Sequence, residues 1–158
     1  MIRLSKLTDY AVAVLVQLSK EQADGKAEMM PRSAHFISEK IGVPEPTVAK
    51  VLKVMSNADL IDSVRGGSGG YRLKKTAAEV SIAEIITAID GPIAIVSCVE
   101  GNDNECVAST KCPAIGKWDT VNRLLYQALD SVKLSQMQAS SCGKIYDFLE
   151  EEERKEVV

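Results

Sequence analysis

Three of the four cysteines in this chain fall within fifteen residues, in CVEGNDNECVASTKC, residues 98–112. The fourth, Cys142 in SSCGKIYDFL, stands apart and reads as a small residue beside a terminal helix. The spacing of Cys98, Cys106 and Cys112 is Cys-x7-Cys-x5-Cys, in a stretch too polar and too interrupted by glycine to be a core element. A structural zinc site is usually built from closely spaced Cys-x2-Cys or Cys-x2-His pairs, and none is present. A catalytic cysteine needs a base, yet the single histidine, His35, lies far from the loop in sequence. A disulfide would leave one thiol over. Widely spaced soft thiolates on a pliable loop suit an iron-sulfur cluster, which is better spanned by a wrap than by a tight knuckle. Gly101 permits the wrap and Pro113 ends it. From spacing alone, zinc and redox-active or inert thiols remain open beside the cluster.

The rest of the chain must position that loop. Its 158 residues, 46% of them hydrophobic, are enough for one core or for a small domain with an appendage. The longest apolar run, AVAVLVQL at 11–18, is far shorter than the roughly 20 residues a membrane-spanning helix needs. No small-residue cleavage site follows it, so the expectation is a cytoplasmic protein whose cysteines are free thiols or metal ligands. The net charge of -3 conceals an asymmetry. Residues 1–75 hold 12 basic against 8 acidic side chains, and residues 76–158 hold 7 against 14, many of the latter in the tail EEEERKE. A basic first half favours an anionic partner such as nucleic acid.

Apolar residues Leu7, Ala11, Val14, Leu15 and Leu18 recur at helical spacing. Ser33 reads as the N-cap of a short second helix with Ala34, Phe36, Ile37 and Ile41 on its apolar face, and Gly42 closes it. In VPEPTVAKVLKVMSNADLI, Pro46 suits a first helical turn, and Val48, Val51, Leu52 and Met55 form a single face. A short helix, a tight turn and a second helix make a helix-turn-helix, with Thr47, Lys50 and Lys53 off the apolar face. The following IDSVRGGSGGYRL reads as two short strands joined by a glycine-rich turn that carries Arg65, the wing of a winged helix. It lacks the GK[ST] ending of a nucleotide-binding loop.

SIAEIITAIDG, residues 81–91, carries a capping box at Ser81 and Glu84 and a terminator at Gly91. Beyond the cysteines, Trp118, Val121, Leu125, Ala128 and Val132 are spaced as a near-heptad seam, predicting a helix of about 20 residues that pairs with a second copy. The expected fold is mainly α, a winged helix-turn-helix DNA-binding domain with a long C-terminal dimerisation helix. Its divisions are 1–75 for the DNA-binding domain, 76–97 for a connecting helix, 98–116 for the cysteine loop, 117–141 for the dimerisation helix and 142–158 for a terminal helix and acidic tail.

Taken together, MIRLSKLTDYAVAVLVQLS, GVPEPTVAKVLK, SVRGGSGGYRL, AEIITAIDGPIA and three cysteines before a tryptophan-led helix resemble the IscR/NsrR/RirA family of winged-helix regulators over about residues 1–137. GPIA before the first cysteine and KWDTVN after the third are most similar to the regulators of SUF iron-sulfur assembly operons. The resemblance implies that Cys98, Cys106 and Cys112 ligate a 2Fe-2S or 4Fe-4S cluster. It implies that Thr47 and Lys50 read the major groove and that Arg65 with the wing glycines, Gly67 among them, meets the minor groove or backbone. Ser33, Pro46 and Tyr71 complete the expected DNA-contacting set. IscR-like members place a histidine shortly after the third cysteine, where this chain has Pro113, Ala114, Ile115 and Gly116. Other members take a carboxylate from the partner subunit's first helix, which points to Asp9, with His35 as a second option. Where IscR has a glutamate in its recognition helix this chain has Ala49, so an operator preference does not carry over. The implied function is that of a non-enzymatic homodimeric repressor of iron-sulfur assembly genes that senses cluster status, redox or iron stress. The alternative is a thiol-redox or zinc-dependent winged-helix regulator without a cluster.

Overall fold

The computed structural model describes residues 3–23, 31–66, 69–99, 111–114 and 116–138. Helix α1 spans Lys6–Ala23 and buries Ala11, Val14, Leu15 and Leu18, as the helical spacing predicts. Helix α2 spans Ala34–Ile41; the Ser33 side chain accepts a hydrogen bond from the Phe36 amide, and Gly42 ends the helix at φ 70°, a left-handed conformation glycine adopts without strain. Helix α3 spans Glu45–Asn57 and buries Val48, Val51, Leu52 and Met55. Its N-cap is Pro44, with no side-chain cap.

Strands β1, Ile61–Val64, and β2, Gly70–Leu73, pair antiparallel with Ile61 opposite Leu73 and Val64 opposite Gly70. The sequence gives no sign of a further partner: Arg32, just before α2, bridges to Tyr71 through backbone bonds of 2.9 Å in both directions. This extra pairing ties the wing to the start of α2. Arg72 is engaged across the hairpin with Asp62 at 3.6 Å.

Helix α4 spans Ile82–Asp90 and has the complete capping box expected of Ser81 and Glu84. Partial burial disfavours the charged form of Glu84, yet the Ser81 amide and Lys75 together hold its carboxyl below the ordinary value. Helix α5 spans Trp118–Ser131, 14 residues rather than the predicted 20. The apolar spacing continues to Val132, but there the backbone turns extended to pair with the segment entering α4: Ile82 donates to Val132 and Leu134 to Val80, each at 2.9 Å. Leu134 is buried and opens a short 3-10 helix, Leu134–Gln138, that packs on α1. Tertiary pairing thus overrides helix propagation.

Substituting Gly70 tests the wing's anchorage. A Cβ there would stand 2.6 Å from the Arg32 carbonyl carbon and oxygen, which are backbone atoms. Gly70→Ala is expected to cost about 1–3 kcal/mol through overpacking, read as a lowered urea midpoint.

Candidate cluster loop and nucleic-acid interface

Cys98 lies in a turn, half-buried, next to the fully packed Val99, and Cys112 is half-buried at the other end of the loop. Both are free thiols. Cys106 falls outside the described residues, as do Gly67, Cys142 and the acidic tail. Among the described residues no three His, Cys, Asp or Glu side chains converge to hold an ion, so Asp9 does not join Cys98 and Cys112 within one chain. Asp9 is exposed on the first turns of α1.

Two polar side chains that the sequence reading missed anchor the approach to Cys98. Asn122 on α5 donates to the Ile93 carbonyl at 2.8 Å and accepts from the Ile95 amide at 3.1 Å. An extended segment with no ladder of its own thereby has its backbone groups satisfied. Asn122 shares a helix face with Leu125 and Leu129, the latter packed on the core, whereas Val121, Leu124 and Ala128 share the adjacent face and are exposed. The predicted seam is therefore split, with Leu125 and Val132 half-buried on their own chain and Trp118, Val121 and Ala128 left outward. Since Cys98 follows the Asn122-bound segment and Cys112 precedes Trp118 by six positions, both ends of the cysteine loop approach the start of α5.

The second anchor is Asp90, the last residue of α4 and the one before the Gly91 turn. Its Oδ2 accepts from Thr8 Oγ1 at 2.7 Å and from the Ser5 amide at 3.4 Å. Partial burial opposes its ionisation, but the bonds from Thr8 and Ser5 outweigh it and hold the carboxyl below the ordinary aspartate value. The beginning of α1 is thereby fastened to the root of the cysteine loop. Beside this junction lies a groove of 880 Å³ between Leu4, Pro92, Ile93, Ile95, Leu125 and Leu129.

The two helices of the helix-turn-helix expose Ser33, Pro46 and Lys50, with Thr47 half-buried. Arg65 is exposed at the wing tip. Tyr71 is half-buried, its ring packed on the core. Lys74, past the wing, pairs with Asp59 and Asp62, and Lys75 with Glu84 at 2.9 Å. The hydrogen bond to Asp59 raises the Lys74 pKa and that to Glu84 raises the Lys75 pKa. His35 bonds through Nδ1 to Glu45 at 3.1 Å and faces Glu39 through Nε2 at 3.5 Å.

Comparison with known proteins agrees with this architecture. The Rrf2 model, described as an iron-dependent transcriptional regulator, matches residues 4–140. The transcriptional repressor NsrR of Streptomyces coelicolor is 27% identical over 144 residues, covering 91% of this chain and 93% of that protein. Among solved structures, CymR, the global cysteine regulator of B. subtilis, matches with a TM-score of 0.65 at 24% identity, covering 89% of this chain and 99% of its own. IscR of T. potens matches with a TM-score of 0.59 at 25% identity, covering 92% and 96%.

Both anchors can be tested. Asn122→Ala leaves two backbone groups of the loop without their partner and is expected to cost about 1–3 kcal/mol, with faster hydrogen exchange at Ile95 and unchanged exchange within α3. For Asp90, the depressed carboxyl binds protons less readily folded than unfolded. Its stabilising contribution is present above the ordinary aspartate value of about 3.9 and lost as pH falls through the lower folded value. Asp90→Ala is expected to flatten the acid limb of stability against pH in urea titrations.

Proposed function

The chain belongs to the Rrf2 family of iron-dependent transcriptional regulators, and from that premise we propose that it is a homodimeric repressor holding an iron-sulfur cluster on Cys98, Cys106 and Cys112. It regulates transcription by binding DNA; cluster status, and through it iron or redox stress, is the signal, and iron-sulfur assembly genes are the targets. The observation that carries this reading is the tethering of the segment before Cys98 to α5 through Asn122, with Asp90 tying the loop's root to α1. Thiolate is the donor type such clusters require, and two free, half-buried cysteines bracket the loop. When bound, the cluster supplies a link between loop and partner that is sensitive to oxidants and to iron supply.

Three loop thiols leave one ligand to be found elsewhere. Asp9 of the partner subunit is the fourth ligand we propose, its carboxylate being exposed on α1. His35, the second option, already faces Glu45 and Glu39, which favours Asp9. The dimer forms through the stripe of Val121, Leu124 and Trp118, which are 47%, 59% and 42% exposed. No residue of helix α5 is fully buried within its own chain, and a contiguous exposed apolar stripe of this kind marks an interaction surface. Two copies related by a two-fold axis then present two α3 helices to successive major grooves. Thr47 and Lys50 reach into the groove, while Pro46 borders it at the start of α3. The Ser33-capped start of α2 meets phosphate, and Arg65, Gly67 and Tyr71 place the wing on the backbone or minor groove. Phosphate contacts make the affinity fall as salt rises.

Anaerobic purification is expected to yield coloured protein containing iron and acid-labile sulfide, both lost in Cys98→Ala, Cys106→Ala and Cys112→Ala. Stoichiometric zinc, or thiols that titrate freely with no iron bound, would establish the cluster-free regulator instead. Leu124→Glu is expected to convert a sedimenting dimer to monomer and to weaken operator binding in a gel shift; a dimer unaffected by this change would refute the proposed interface.

A further inference from the structure

The first residue of α3 is a carboxylate, Glu45, and its side chain is 52% exposed. On a helix that enters DNA this is an unusual choice, because a carboxylate opposite a phosphate is repelled. Two features make the position tenable. The N-terminal end of a helix carries partial positive charge that favours an anion in its first turn. His35, on the first turn of α2, also donates from Nδ1 to Glu45 Oε2 at 3.1 Å, while its Nε2 side is bounded by Glu39. The His35 bond joins the two helices of the helix-turn-helix and fixes where the carboxylate points. Among the described residues Glu45 has no ion-pair partner other than His35, so its second oxygen, Oε1, is available as an acceptor.

Within DNA the partner suited to such an acceptor is an exocyclic amine at a base edge. In the major groove cytosine N4 presents a donor that a glutamate accepts, whereas guanine presents only acceptors, which repel it. The N-terminal residues of a recognition helix are the ones that reach base edges. We infer that Glu45, positioned by His35, is a specificity-determining residue that accepts a hydrogen bond from a cytosine in each half-site and rejects guanine at that position. The inference rests on α3 being the helix that enters the groove, as proposed above. It assigns Glu45 to selection among sequences beside Thr47 and Lys50 in the groove, while Arg65 supplies affinity for any sequence through the backbone.

The test is selection from a randomised duplex library by the full chain, followed by competition binding with the single-base variants of the recovered site. Wild-type protein should prefer cytosine over guanine at one position per half-site by about 5- to 150-fold. Glu45→Ala should abolish that preference alone, leaving the other positions and the binding of unrelated DNA at least as strong. Glu45→Gln should move the preference to adenine, whose N6 and N7 match a carboxamide. His35→Ala should reduce the discrimination and His35→Asn, which retains a side-chain N–H, should restore part of it, with melting temperatures unchanged in both. A purely structural histidine would move the melting temperature and leave the base preference intact. If Glu45→Ala selects the same site as wild type with every preference intact, Glu45 does not read a base and the inference is overturned. If wild-type protein binds all duplexes alike, or none, groove reading by α3 fails and this inference fails with it; the two failures are thus told apart by the wild-type profile.

Discussion

Burial of α1 is the constraint on which the other elements depend. Ala11, Val14 and Leu15 are wholly inaccessible, and α1 packs against α2, α3 and β2 as well as against α4 and the short 3-10 helix. Burying a leucine or valine contributes roughly 1.5–3 kcal/mol relative to exposure, so these positions dominate local stability. More consequential is what they join. The DNA-reading elements and those that carry the cysteine loop do not have separate cores; they share the surface of one helix. Close-packed side chains thus run continuously from the root of the loop to the helix-turn-helix.

Polar contacts give that shared core its direction. Asp90 fastens the end of α4 to Ser5 and Thr8, and Asn122 fastens the following segment to α5. Each places hydrogen-bonding groups against backbone that has no ladder to pair with, and leaving such groups unpaired costs more than the bond itself contributes. The loop that carries Cys98 thus has a fixed root. The bridge between Arg32 and Tyr71 does the corresponding work for the wing, and His35 does it for the start of α3. Neighbouring carboxylates take up Arg72, Lys74 and Lys75, so the basic charge past the wing is largely compensated within the chain.

Helix α5 shows why an apolar pattern alone is ambiguous. A stripe read as one seam proves to serve two surfaces: Leu125, Leu129 and Asn122 turn to their own chain, and Val121, Leu124 and Ala128 turn away. Helical spacing defines which residues share a face but not what covers it. The same limit applies to length, since the pattern runs on to Val132 while the backbone leaves the helix to pair with Val80 and Ile82.

Much of this protein was legible in its sequence because the signals were local. The caps at Ser33 and Ser81, the terminators Gly42 and Gly91, the buried faces of α1 and α3 and the wing hairpin each arise from residues within a few positions of one another, where backbone sterics and helical period leave few alternatives. The three loop cysteines could be read from the sequence as a candidate ligand set, because residue type and spacing are local features. What only tertiary structure decided involves partners distant in the chain. Asn122 meets Ile93 and Ile95 across 29 and 27 positions, and Asp90 meets Thr8 across 82. An asparagine or an aspartate on a helix carries no mark of which backbone it will satisfy, and that choice is made by the packing that brings distant segments together.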